Sequence, residues 1–123
     1  METCRKASEA VRFTGTPTAQ VINLLSTRWG VLTLEAVLEG GARFNELQRR
    51  LAGISHKVLI DTLRSLQRDG FVRGPLTDPR LTEYLLTPVG CELIELIDEI
   101  RCWSEDRWGQ LRRARDEFDR ARA

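Results

Sequence analysis

Apolar residues return at helical intervals along most of this chain, and glycine, proline and small hydroxyl residues mark where each run stops. Val21, Ile22, Leu24 and Leu25 lie within Pro17 to Ser26, and a second apolar segment runs from Trp29 to Leu38. Thr27 and Arg28 between them either join two helices or bend one. Gly40-Gly41 closes the segment, as glycine past a helix end does. Phe44, Leu47 and Leu51 then recur at spacings of three and four, the pattern of a short amphipathic helix. After Ala52-Gly53-Ile54, Ser55 is placed to cap a further helix to Arg68, with Leu59, Leu63 and Leu66 on one face.

Asp69-Gly70 ends that helix, and the period changes. Phe71-Val72-Arg73 and Leu81 to Leu86 read as two strands around a loop rich in turn residues, Gly74 to Pro79. Thr87 caps a last helix with Pro88 in its first turn. That helix is predicted to run to near Phe118, interrupted only at Gly109. Leu93, Ile97, Ile100 and Trp103 form a stripe along it, and Arg112/Asp116, Arg113/Glu117 and Arg115/Asp119 are opposite charges four apart. The order helix, helix, short helix, helix, strand, strand, long helix predicts an α+β fold, mostly α. The short connection of the central pair is that of a helix-turn-helix, the hairpin behind it would be the wing, and a winged helix-turn-helix domain with terminal dimerisation helices is the expectation. The predicted layout is an N-terminal arm over 1–15, the winged core over 16–90, and a dimerisation helix with charged tail over 91–123.

Composition narrows the class. At 123 residues, 41% apolar and 30% charged, the chain suits one globular domain. Its first fifteen residues lack the apolar centre of a signal peptide, and no apolar run approaches the ~20 residues of a membrane span. The expectation is a cytoplasmic protein with no membrane contact. Three cysteines, Cys4, Cys91 and Cys102, fit neither a disulfide framework nor a zinc signature, and His56 is the single histidine. No metal or cofactor is expected. Cys91 and Cys102, eleven apart on one helix, read best as buried small hydrophobes, with redox chemistry across a dimer axis as the alternative.

The net charge of +1 is uninformative, but its distribution is not. Between Gly40 and Arg80 eight basic residues face four acids, an excess of four; from Val89 onward seven arginines face nine acids. The middle of the chain is therefore the candidate surface for a polyanion. With Leu59, Leu63 and Leu66 turned inward, His56, Lys57, Ile60, Asp61 and Arg64 share the outer face of the second helix of the motif. Ser55 and the free N–H groups suit a phosphate. Lys57 and Arg64 suit phosphate or guanine, Ile60 a thymine methyl, and Asp61 a cytosine amine. Arg73 and Arg80 flank the wing, and Arg43 and Asn45 begin the first helix of the motif, where backbone-positioning contacts occur. The plain alternative for all of these is a solvated charged face. No nucleophile–base pair or phosphate-cradling loop is found, so an enzyme is not expected.

Trp29-Gly30-Val31-Leu32-Thr33-Leu34, Arg43-Phe44-Asn45-Glu46-Leu47 and Gly53 through Leu59 resemble the HxlR-type regulators. Leu63-Arg64-Ser65-Leu66, Asp69-Gly70 and Glu83 through Gly90 continue the likeness, which spans roughly Pro17 to Trp103. The resemblance implies a winged helix-turn-helix dimer, related in architecture to MarR-type proteins. It implies transcriptional control in response to redox state or to small reactive or aromatic compounds. Redox-sensing members are similar in placing a cysteine just before the proline of the first core helix, where this chain has Thr16. Ile60-Asp61-Thr62 replaces a more basic run, and the wing loop from Gly74 to Leu81 is short for the family.

The expected function is therefore a dimeric, sequence-specific regulator, a repressor released by an effector, on a palindromic duplex operator. Leu93, Ile97, Ile100 and Trp103 are the expected dimer interface, since a stripe of that length would otherwise stay exposed. Core or dimer packing is the default for Trp103, with an effector pocket lined by Trp29 or Trp103 as the alternative. The rival reading is a winged-helix module repurposed for protein or small-ligand binding, with DNA affinity lost.

Overall fold

A computed structural model of the chain describes residues 15–123, so Cys4 and all of the expected arm except Gly15 lie outside the described residues. The elements follow in the order α1 (Pro17–Leu25), α2 (Arg28–Leu38), α3 (Phe44–Arg50), α4 (His56–Arg68), β1 (Val72–Arg73), β2 (Leu85–Leu86) and α5 (Pro88–Arg122).

The α1–α2 junction is two helices, bent by 83°. Thr27 makes the elbow. Its hydroxyl donates to the Leu24 carbonyl at 2.7 Å, closing α1, and accepts from the Gly30 N–H at 3.2 Å, opening α2. A Cβ on Gly30 would stand 2.5 Å from that hydroxyl and 2.8 Å from the Leu24 side chain, so glycine is what lets the two helices meet so closely.

Two apolar clusters fill the interior. Ala36, Val37, Ala42, Leu47, Leu51, Ile54, Leu59 and Leu63 tie α2, α3 and α4 together, and Phe44 packs against them. Leu34, Leu66, Phe71 and Val72 join Leu93, Ile94 and Ile97 in the second. The first turns of α5 therefore belong to the protomer's own core. Leu93 and Ile97 were expected at a dimer interface, but they are only 4% and 7% exposed within one chain. Ile100 and Trp103, on the same stripe, stay 52% and 57% exposed because α5 has by then passed the edge of the core.

The sheet is smaller than expected. Val72 pairs with Leu86 and Arg73 with Leu85 in antiparallel register, and strand geometry does not extend back to Leu81. Tyr84 instead bridges to Ala42, its N–H donating to the Ala42 carbonyl at 2.9 Å. This contact anchors the wing to the α2–α3 connection, which the sequence pattern did not reveal.

Helix α5 starts as predicted. Thr87 accepts from the Gly90 N–H at 3.0 Å while its hydroxyl donates to the Gly70 carbonyl at 2.6 Å. A Cβ on Gly90 would fall 2.2 Å from the Phe71 carbonyl oxygen. Beyond this start the helix runs unbroken through Gly109 to Arg122. Thirty-five residues at 1.5 Å each make it about 52 Å long. Arg101 is its last tie to the core, bonded to Glu35 of α2 and to Asp98.

Cys91 and Cys102 are both exposed, contrary to the expectation of burial. Cys91 sits two residues from Leu93, about 200° around the helix from it. Cys102 lies beyond Ile97, the last buried residue of α5. None of the three expected i, i+4 pairs of the tail closes. Arg115 stacks over Trp108 at 5.3 Å, and Arg122 lies over Phe118 at 5.2 Å.

Candidate nucleic-acid interface

Helix α4 forms because its buried face is leucine at every turn, with Leu59, Leu63 and Leu66 at most 1% exposed. Ser55 caps it as expected, accepting from the Val58 N–H at 3.1 Å. The short connection through Ala52-Gly53-Ile54 sets α3 against its start, with the rings of Phe44 and His56 edge to face at 4.8 Å. That contact orients His56, whose burial is otherwise slight.

With the leucines inside, His56, Lys57, Asp61 and Arg64 are exposed and Ile60 is half-buried, so all five share one outward surface. Lys57 and Asp61 are not independent there. The ammonium donates to the Asp61 carboxylate at 2.8 Å. That hydrogen bond, with the lysine's charge, holds the Asp61 carboxyl below the ordinary carboxylate range. Arg64, one turn further on, has no ion pair among the described residues.

The wing arginines are also paired. Asp78 lies 3.6 Å from the Arg73 guanidinium and accepts from Arg80 Nε at 3.3 Å and from the Arg80 backbone N–H at 3.1 Å. The hydrogen bonds from Arg80, backbone first, lower the Asp78 carboxyl. Gln67 fixes the wing loop to α4. It is buried, its amide N–H donating to the Leu63 carbonyl at 3.1 Å and its amide oxygen accepting from the Leu76 N–H at 3.0 Å. Asp78 and Gln67 are the positioning residues that sequence reading missed, and the spacing of neither advertises the role.

Arg43 and Asn45 are exposed at the start of α3, where Arg43 is the N-cap residue and gives no side-chain capping bond. Arg50, by contrast, is consumed by the fold. It donates to the Ala36 carbonyl at 2.7 Å and to Glu46 at 3.0 Å. Arg49 and Arg68 are exposed and carry no ion pair among the described residues.

The two tryptophans do not share a pocket. Trp29 lines an open cleft of about 450 Å³ between the α1–α2 elbow and α4. Trp103 lines an apolar groove of about 600 Å³ between α1 and α5, with Val21, Leu25, Leu93, Leu96 and Ile100. The 83° elbow and the departure of α5 from the core keep them apart. Among the described residues no three of His, Cys, Asp and Glu gather as a metal site, and no single helix is long and apolar enough to cross a membrane.

Comparison with known proteins agrees with this geometry. The model of the HxlR-like helix-turn-helix family matches residues 24–112. An uncharacterized HTH-type transcriptional regulator of Escherichia coli K12, YtfH, is 36% identical over 104 residues, covering 82% of each chain. Among solved structures, the transcriptional regulator ytfH from Salmonella typhimurium superposes with a TM-score of 0.61 at 33% identity, over 81% of this chain and 91% of that one. The quinone-bound YodB of Bacillus subtilis gives 0.65 at 26% identity, over 72% and 96%.

Proposed function

Starting from a chain that belongs to the HxlR-like helix-turn-helix family, we propose a homodimeric transcriptional regulator that reads a palindromic duplex through α4 and the wing. The observation that carries the reading is the outer face of α4. Its N-terminus is capped by Ser55, and His56, Lys57, Asp61 and Arg64 are exposed on a helix whose other side is locked into the core. The helix N-terminus and Lys57 suit a phosphate, and Arg64 suits phosphate or a guanine edge. Arg73 and Arg80 at the wing, and Arg43 and Asn45 on α3, supply backbone contacts that fix register.

What α5 leaves uncovered supports dimerisation. Leu96, Ile100 and Trp103 are more than half exposed along one side of a helix that projects beyond its own core. A second copy covering them would set two reading helices about one DNA turn apart. Binding near a promoter would exclude polymerase, and an effector that changes the spacing of the two helices would release it. The quinone-bound state of YodB supports a small reactive or aromatic effector for this chain too. The cell compartment for such a protein is the cytoplasm.

Retention of random duplexes by the purified chain, at low and at moderate salt, tests the reading. Enrichment of one two-fold symmetric site is expected, with affinity falling steeply as salt rises because displaced counterions are the signature of phosphate neutralisation. Absence of binding at both salts would sink it and favour a protein-binding module.

A further inference from the structure

The loop between β1 and β2 is held shut by its own hydrogen bonds. The Gly74 carbonyl accepts from the Thr77 N–H and hydroxyl, both at 3.0 Å, and from the Asp78 N–H at 2.9 Å. The Gly74 N–H donates back to the Thr77 hydroxyl at 3.0 Å. A second turn follows at once, the Leu81 N–H donating to the Asp78 carbonyl at 2.9 Å. Gln67 pins the loop to α4 through the Leu76 N–H, and the Tyr84 ring lies so near Gly74 that a Cβ there would stand 2.6 Å from it. Asp78 therefore has a fixed place relative to the reading helix.

That place is between two cations. The Asp78 side chain is 20% exposed, against 52% for Arg73 and 90% for Arg80. Its Oδ1 atom accepts from the Arg80 backbone N–H and from Nε, and Oδ2 faces the Arg73 guanidinium. The backbone bond keeps the carboxylate in position whichever way the exposed end of Arg80 moves. With Nε drawn to Oδ1, the Arg80 Nη1 and Nη2 are left in solvent, with no partner among the described residues. Two guanidinium groups and one carboxylate leave the wing with a charge of +1. A wing that only attracted phosphate would gain nothing from that carboxylate, because each neutralised phosphate needs a free cation. The carboxylate instead weakens attraction to duplex in general and presets one planar guanidinium, which then loses less freedom on insertion. A narrow minor groove over A·T steps suits such a group, since its negative potential is concentrated and no guanine amine projects into it.

We propose that Asp78 is the positioning residue for specificity at the wing. It aims the Arg80 guanidinium into a narrow, A·T-rich minor groove beside each half-site, and its charge holds down binding to other duplex. This rests on the regulator reading and gives Arg80 a groove contact beyond a backbone one.

The test takes the full chain and a pool of random duplexes, then one retained duplex whose flanking A·T steps are changed to G·C or to inosine·C. Inosine·C lacks the guanine amine in the minor groove. The parent is expected to enrich A·T beside the half-sites, to bind the G·C-flanked duplex about tenfold less tightly and to recover on inosine·C. Asp78→Asn keeps an oxygen for the Arg80 backbone N–H and loses the charge. It should bind the G·C-flanked duplex more tightly, steepen the salt slope by about one unit and cut the flank preference to about twofold. A loop that had only lost its structure would not gain affinity. Arg80→Lys, which leaves Asp78 and its backbone bond in place, should lose the preference at an unchanged slope. A flank preference that survives Asp78→Asn or Arg80→Lys, or a parent without one, overturns the proposal and leaves the regulator reading standing. A parent that binds no duplex at low or moderate salt sinks both.

Discussion

Two cations on the same face of α4 are in different states. The Lys57 ammonium is spent on Asp61 at 2.8 Å, while Arg64 has no acid partner among the described residues. Each cation that neutralises a phosphate contributes about one unit to the salt slope of DNA affinity. Arg64→Ala is therefore expected to weaken duplex binding about tenfold and to flatten the salt slope by about one unit. Lys57→Ala should cost less and flatten the slope less, because Asp61 already neutralises the ammonium. Fluorescence anisotropy at several salt concentrations separates them, and equal slopes for both variants would mean the Lys57–Asp61 pair opens on DNA. A second residue-scale effect lies in the core. The Thr33 hydroxyl is fully buried and has no hydrogen-bond partner among the described residues. An unsatisfied buried polar group costs about 1–3 kcal/mol, so Thr33→Val should raise stability by about 1 kcal/mol in urea unfolding. A loss instead would mean that the hydroxyl is bonded in solution.

At the scale of elements, α5 carries the clearest disagreement with sequence periodicity. Glycine in a helix interior costs about 1 kcal/mol relative to alanine, which is why a break at Gly109 was expected. One such penalty does not stop a helix whose flanking residues, Arg107, Trp108, Gln110 and Leu111, can propagate it on both sides. A Cβ at Gly109 meets nothing within 4 Å. Gly109→Ala should consequently raise stability by up to about 1 kcal/mol without loss of fold, read by circular dichroism during thermal unfolding. Destabilisation would place another surface against that position. The wing shows the opposite failure of pattern: Thr82 and Tyr84 have strand-forming side chains, yet only Leu85 and Leu86 pair with β1. The partner for Tyr84 is Ala42, far back in the chain.

At the scale of the molecule, the decisive feature is the length of α5 against the extent of the core. Arg101 clamps to Glu35, and among the residues after it only Ser104 is half-buried, all the others being exposed. The Glu35 carboxylate, by hydrogen bond and charge, raises the Arg101 guanidinium above its ordinary value. A helix leaving its core with Leu96, Ile100 and Trp103 uncovered is the surface on which the proposed dimer rests. If the proposed dimer forms through this stripe, Ile100→Glu should convert it to a monomer in sedimentation equilibrium. DNA affinity should fall by at least about tenfold, because two linked modules lose their effective concentration for one another. A variant that remains dimeric would move the interface elsewhere.

Much was decided by local chemistry and could be read directly. Ser55 and Thr87 cap α4 and α5 because a hydroxyl one residue before a helical run accepts from the first free N–H groups, and the leucine repeat of α4 fixes which face is buried. These features placed the helix-turn-helix and named its outer face. What the sequence could not supply was every contact made by residues distant along the chain. Leu93 and Ile97 look like continuations of the Ile100 and Trp103 stripe, and only the position of Leu34, Leu66 and Phe71 against α5 separates core from surface. Trp29 and Trp103 likewise fall into separate cavities because Thr27 and Gly30 turn the chain by 83° between α1 and α2. Periodicity reports which side of a helix is apolar; what comes to lie against that side is set by the packing of the whole chain.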